Sequence, residues 1–418
     1  MAISQVRVNF NGQWCTLAYN SETQRYEGHI TPTASSHGQS GGYYGLTVEA
    51  SNDSGAVSTV DSSISKALRL VVKEVTEPEI TLVSPPQGYL TTNAPSIVFT
   101  VTDEAGGSGV DLATLSVFLD GNPALYSTEP IANGYRVTCA LSGLDDGPHT
   151  ITAAVSDHDG NQADLSLFYT VDTTPPMIQI MSPNAHRIID DDAVLISGTA
   201  LDATAPPVTV HIFRDGEDLG EISLSASGAF LKVVPLAVGV NEITITAADG
   251  AGLVSTEIFR IYRMVTDRMQ ADVDELAELL AKVSLTGAEL HRLANTHFRG
   301  AYDFTDLNRV TAAMEYLNEL LTAEGNQIGY VPIYPEEGRT TWLEDDTFVK
   351  HMAAEYLSNV ERLRDAIPAD VPKTPADMGD MHYEEANDIE KILVGIDAVH
   401  QYLETSQWYA GEIYCSEV

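Results

Sequence analysis

At 418 residues, with 44% apolar and 20% charged side chains, the chain has the composition of folded globular material and the length of three or four domains. Its formal charge of −38 is not confined to a tail, since residues 1–264 and 265–418 each hold 11 basic and 30 acidic side chains. Such a surface repels phosphate backbones and carries no basic stripe, which excludes nucleic acid as a partner.

The chain opens Met-Ala-Ile-Ser-Gln-Val-Arg-Val, alternating like a strand. It lacks the basic segment and apolar core of a secretory signal, and no run of about 18 apolar residues predicts a membrane span. With an initiator Met in place, release by a route other than signal-led export is expected. A hairpin is predicted over residues 6–19, because Asn11-Gly12 between alternating runs accepts the positive φ angles of a type I′ turn. A strand at 24–30, a small polar loop at 31–42 and a closing strand at 67–72 complete this first unit, and Glu77-Pro78 links it to the next.

Period-two runs then predict strands at 79–83, 96–102, 115–119, 135–141, 150–155 and 165–171. A second set follows at 177–181, 194–198, 208–213, 229–234, 242–246 and 256–261. The units share internal landmarks. Asn52-x-x-Gly55, Asp157-x-x-Gly160 and Asp249-x-x-Gly252 recur at roughly 100 residues, the size of an immunoglobulin-like β-sandwich. Asp120-Gly121 and Asp215-Gly216 form a second matching pair of turns. Pro175-Pro176 cannot donate to a ladder and separates two units.

After Arg263 the period changes. Apolar residues recur at helical spacing in four stripes: Met269 to Val283, Leu307 to Leu321, Val349 to Leu363 and Ala386 to Leu403, with prolines between them. Thr305 is the expected N-cap of the second stripe. Three triples share one spacing: Phe304-x3-Asn308-x-Val310, Trp342-x3-Asp346-x-Phe348 and Tyr383-x3-Asn387-x-Ile389. They read as an aromatic anchor before each helix, with Asn or Asp in the first turn serving its unpaired N–H groups. The expected fold is therefore three tandem all-β immunoglobulin-like sandwiches (1–76, 77–173, 174–264) followed by an all-α, bundle or coiled-coil-like domain (265–418).

Few residues offer chemistry. Asp157-x-Asp159-x-Asn161 has the opening spacing of a calcium loop, but lacks the distal Glu and the length of an EF-hand, and turn chemistry is the favoured reading. The three cysteines, Cys15, Cys139 and Cys415, fall in different predicted domains and imply no disulfide framework. His291 and His297 do not share a helix face, and no His-Glu-x-x-His or Cys-x-x-Cys occurs, so zinc is not expected. Gly106-Gly107-Ser108-Gly109 lacks the ending of a phosphate loop and the pattern of a nucleophile elbow. Tyr43 and Tyr44, beside a loop of small residues, are the best candidates for stacking on a glycan, with core packing the competing reading. No catalytic residues, cofactor or enzymatic activity are expected.

Two stretches carry a resemblance. One is Asn11-Gly12, Leu17-Ala-Tyr-Asn-Ser21, Tyr26-Glu27, Gly42-Tyr-Tyr44 and Val48-Glu-Ala-Ser-Asn-Asp-Ser-Gly55. The other is Asp306-Leu-Asn-Arg-Val310, Tyr383-Glu-Glu-Ala-Asn-Asp-Ile-Glu390 and Trp408-Tyr-Ala-Gly-Glu-Ile-Tyr414. Together they resemble the Ig-like, baseplate-associated or tail-fibre-like tail proteins encoded by prophages of Gram-positive bacteria. The resemblance implies a non-catalytic virion part, assembled in the cytoplasm and released by lysis. Its partners would be other tail proteins or further copies of the chain, met through the C-terminal helices, with Phe304, Asn308, Trp342, Tyr383, Asn387 and Trp408 as docking anchors. A bacterial surface adhesin that binds an envelope glycan through its sandwich loops is the alternative.

Overall fold

The Asn11-Gly12 turn forms as its sequence requires: φ is +48° and +82° at the two residues, and Ile3–Phe10 pairs antiparallel with Gln13–Asn20. The structure, a computed structural model, describes residues 2–183, 185–295, 298–336, 338–379 and 381–414, the side chains of 294–295 and 404–414 excepted.

The first module is lopsided. One sheet has five strands, in the order Arg25–Glu27, Gln13–Asn20, Ile3–Phe10, Thr47–Asn52, Val57–Asp61, and the other has only Tyr44–Gly45 and Arg69–Leu70. Its interior is correspondingly small: Val6, Val8 and Tyr44 are buried, and the Tyr44 ring meets Phe10 edge-on at 4.9 Å.

The second module is a full sandwich. Glu79–Ser84, Ser96–Thr102, Gly134–Ala140 and Ser127–Ile131 form one sheet, and Gly88–Leu90, Val110–Leu119, Asn122–Pro123, Gly147–Asp157 and Gln162–Val171 the other. Alternation buries one face of each strand: in Ser96–Thr102 Ile97, Phe99 and Val101 are solvent-free, opposite Val137 and Cys139 of the paired strand. The third module repeats this plan with Met177–Ser182, Ala193–Leu201 and Ala229–Pro235 in one sheet, and Arg187–Ile189, Thr209–Arg214, Glu217–Ile222, Gly239–Ala248 and Val254–Arg263 in the other.

The sequence repeat has a physical origin in its turns. The side chains of Asn52, Asp157 and Asp249 each accept from backbone amides inside their own turn: Ser54 and Ala56, Gly160 and Asn161, and Ala251 and Leu253. Gly55, Gly160 and Gly252 supply the positive φ that closes each turn. The Asp-Gly pair is equally specific, for Asp120 Oδ1 accepts from Thr150 N and Asp215 Oδ1 from Glu242 N, both at 2.8 Å.

Among the described residues five helices follow: α1 (Gln270–Leu280), α2 (Gly287–Asn295), α3 (Phe304–Ala323), α4 (Lys350–Ala366) and α5 (Tyr383–Tyr414). Four match the expected stripes and α2 is additional. It begins with a capping box that periodicity alone passes over, in which the Thr286 amide and hydroxyl donate to Glu289 Oε2 at 2.8 Å. The cap of α3 is Asp303 rather than Thr305, because the Asp303 carboxylate accepts from Thr305 N while Asp306 accepts from Asp303 N. No described helix is long and apolar enough to cross a membrane.

Two compact units result. One comprises Met1–Thr174 with Ala203–Ala205; the other comprises Pro175–Asp202 and Pro206–Val418. In the second unit the helices share a core with the third sandwich: Ile188, Tyr262 and Met264 are buried together with Val310, Met314, Leu317, Val360, Ile389 and Leu393.

Candidate functional sites: an acidic joint and a buried charge network

The join between the first and second modules is a hydrogen-bonded knot. Asp157 ends the strand Gly147–Asp157, and its Oδ1 is fixed by the amides of Gly160 (2.6 Å) and Asn161 (2.9 Å). The Asn161 side-chain amide donates to Asp157 Oδ2 at 2.6 Å and to Glu74 Oε1 at 3.0 Å, reaching the linker that leaves the first module. Asp159 faces the other way, accepting from the Ser35 hydroxyl (2.6 Å) and from Glu74 N (3.1 Å). Ser35 N also donates to Gly106 O, and His37 stacks on His158 with ring centroids 4.1 Å apart.

This arrangement changes the expected Asp157, Asp159, Asn161 set. Ligand-capable oxygens of Glu74, Asp103 and Asp157 lie within 4.8 Å of one another, whereas the Asp159 carboxylate is spent on the linker and Asn161 turns its donor toward the carboxylates. Burial, and then the neighbouring Asp157, raises the Glu74 pKa to about 7. Burial works against the charge on Asp157, but its hydrogen bonds with Glu74, Asn161 and the turn amides outweigh it and lower its pKa. Glu104, beside Asp103, is likewise raised by burial and by that neighbour. Lys73 Nζ donates to the Asp159 carbonyl oxygen at 3.2 Å. Glu74 and Asp103 lie far from Asp157 in sequence, so spacing alone missed them. Aligning the modules by their Asp-x-x-Gly turns would have found them, because Asp172, Asp202 and Asp249 occupy the corresponding positions one module later.

Tyr44 is not a surface platform. It is a core residue of the first module, its hydroxyl turned to the Ser35 carbonyl at 3.3 Å, and this burial withdraws it as a glycan contact. Tyr43 is half-buried under Arg69, whose guanidinium carbon lies 4.7 Å from the ring centroid.

In the second unit, Arg268, Asp306, Arg309 and Glu390 form a charged cluster almost fully removed from water. Arg268 Nη2 is 2.7 Å from both Asp306 Oδ1 and Glu390 Oε1, and Arg309 Nη2 pairs with Asp306 and, at 2.7 Å, with Glu390. Glu390 Oε2 also accepts from Val265 N at 2.6 Å. Burial would lower the pKa of both arginines, but the facing carboxylates raise it instead, so both guanidiniums remain charged. Two cations against two anions make the cluster neutral, which is what permits its burial. Arg187 Nε adds a 2.8 Å pair to the buried Asp397 of α5, and Tyr262 of the third sandwich stacks on Tyr316 of α3.

The expected anchors are distributed differently from their first reading. Asn308 and Asn387 do not serve their own first-turn amides. Each side chain brackets both backbone groups of a distant residue: Asn308 takes Trp342 N (2.6 Å) and O (2.8 Å), and Asn387 takes Arg268 N (3.0 Å) and O (2.9 Å). Asn359, not singled out by spacing, does the same with Val331. Trp342 is buried against Phe348 and Phe304 is partly buried in the shared core, while Tyr383 is half-buried at the start of α5. Asp346 lies ahead of α4, where it holds Arg339 and accepts from Leu343 N, so the middle triple is not a helix start. Trp408 falls in α5, but its side chain lies outside those described.

Residues 176–263 match the family model described as glucodextranase, domain B. That stretch is the third module. A 94-residue segment, 22% of the chain, is 33% identical to Bacillopeptidase F of Bacillus subtilis (strain 168) and spans 6% of that protein's length. Among solved structures, the chain is similar to the fibronectin(III)-like modules of CbhA from Clostridium thermocellum, at 18% identity and a TM-score of 0.30, over 45% of this chain and 95% of that one. It is similar also to immunoglobulin domains 1–4 of Sidekick-1, at 16% identity and a TM-score of 0.30, over 63% of this chain and 68% of that one.

Proposed function

We propose that the chain is a non-catalytic modular protein that works outside a bacterium, its β-sandwiches serving as spacer and glycan-binding modules and its helices as the end that secures them. The observation carrying this reading is the match of the third module to a domain of a glucodextranase, set in a tandem of immunoglobulin-like sandwiches. Sandwich modules leave their inter-strand loops free to vary over an unchanged core, which suits recognition better than bond-breaking. Full-length protein should be retained by purified Gram-positive cell-wall material, be displaced by soluble wall glycan, and release no reducing ends from it. Failure to bind any envelope fraction would overturn the reading.

A second reading, a component of a phage-tail-like particle, has its own support. The residues that carry the resemblance to prophage tail proteins include Asp306, Asn308, Arg309, Asn387 and Glu390, the side chains that knit the helices to one another and to the segment that follows the third module. On this reading the helices dock onto tail proteins or onto further copies of the chain. Mass spectrometry of particles released from an induced culture separates the two readings. Stoichiometric presence beside tube or sheath proteins supports the tail, and absence there with presence in the wall fraction supports the surface module.

A further inference from the structure

We infer that Glu74, Asp103 and Asp157 form a binding site for a hard divalent cation of calcium's size, which fastens the first module to the second. The inference stands apart from either functional reading above, since it rests only on the geometry of the first unit.

Three observations carry it. The first is the size of the cluster. Two oxygens bound at about 2.4 Å to one calcium ion lie at most about 4.8 Å apart, and the three carboxylates offer oxygens within that separation. The second is Asp103 itself. Only 6% of its surface is exposed, and while Oδ2 accepts from Gly109 N at 2.6 Å, Oδ1 is sealed from solvent without a hydrogen-bond partner. A carboxylate oxygen is taken out of water at a cost in free energy, and in this cluster a cation would offset it. The third is the lack of any protein cation to do so, for among the described residues none of the three carboxylates forms an ion pair with Lys, Arg or His.

The site has a consequence for assembly. Glu74 belongs to the linker, Asp103 follows the strand Ser96–Thr102, and Asp157 ends the strand Gly147–Asp157. A bound ion would therefore tie the exit of one module to two strand ends of the next. Hydrogen bonds from Asn161 to Glu74 and Asp157 already hold the ligands near their places, so little reorganisation is needed.

The test is isothermal calorimetry of chelator-treated full-length protein titrated with calcium chloride, beside Asp103→Asn and Glu74→Gln. The wild-type protein should bind one equivalent more than Asp103→Asn, and Glu74→Gln should weaken that equivalent at least tenfold. Calcium should also raise the melting temperature of the wild-type protein more than that of either variant. The same stoichiometry and affinity in all three proteins, or no calcium heat in the wild type, overturns the proposal. Equal affinity for magnesium overturns the assignment to calcium. Should Asp103→Asn fail to fold, Glu74→Gln decides alone, because Glu74 is half-buried in the linker and outside either sandwich core.

Discussion

His149 shows how one side chain can couple a module to pH. Its Nδ1 lies 2.7 Å from Asp120 Oδ2 and its Nε2 lies 2.8 Å from the Asp145 carbonyl, so both ring nitrogens face acceptors. Burial alone would lower its pKa, but these partners outweigh it and raise the value above the ordinary 6.5. The native state thus favours the protonated ring, whose contribution is complete below the unfolded pKa and fades as pH rises through the folded one. His149→Gln should lower the melting temperature at about pH 5.5 and change it little at about pH 8.5, read by thermal scans at both. The buried charges predict a larger effect. Glu390→Gln leaves two guanidiniums sharing one carboxylate, and urea unfolding should show a loss of about 3–5 kcal/mol. The exposed Glu336 pairs with Arg339 at 2.8 Å, and its change to Gln should cost at most about 1 kcal/mol. Legibility at this scale was uneven. Asp157 declared itself through a local spacing, but Glu74 and Asp103 acquire meaning only when the fold brings three separated segments together. For Tyr43 and Tyr44 the sequence leaves glycan stacking and core packing side by side, and the burial of Tyr44 selects the packing reading for that residue.

Among the elements, the recurring device is an asparagine on a helix that brackets a distant backbone residue. Asn308 on α3, Asn359 on α4 and Asn387 on α5 each satisfy one N–H and one C=O that strand or helix ladders would otherwise have to pair. Asn308→Ala or Asn359→Ala should destabilise the second unit by about 1–2 kcal/mol, because each removes the protein partner of two partly buried backbone groups. A loss below about 0.5 kcal/mol in denaturant melts would mean that water takes over those groups. Strands were easy to read because their burial alternates along the chain, and α3, α4 and α5 because their stripes run for several turns. Spacing singles out Asn308 and Asn387 but assigns them to their own helices, since a side chain that serves its own helix and one that reaches across leave the same trace in sequence. The short α2 has too few apolar residues to make a stripe, and only Thr286 and Glu289 betray its start.

At the scale of the whole molecule, the change of hydrophobic period near Arg263 marks a change of secondary structure but not a boundary of stability. Ile188, Tyr262 and Met264 are buried among helical side chains, and Val265 N and the Arg268 side chain are fixed by α5. Fragments 1–174 and 175–418 should each unfold cooperatively, whereas fragment 175–264 should melt well below 175–418 and bind a hydrophobic dye, its helix-facing residues having lost their cover. Circular dichroism melts of the three fragments, with dye fluorescence, decide this. A fragment 175–264 as stable as the longer one would show the shared core to be incidental.

The shared core also sets where such a chain can be recombined. A sandwich inserted or removed ahead of Pro175 leaves Val310, Met314, Leu317, Val360, Ile389 and Leu393 in the core that they share with Ile188, Tyr262 and Met264, so the array can lengthen or shorten there with that core intact. A crossover at residue 264, where a reader of sequence would place it, would have to bring Ile188, Tyr262 and Met264 with it or find equivalents in the incoming module. The third sandwich and the helices therefore make one heritable cassette, and variety among relatives is expected to accumulate on its N-terminal side.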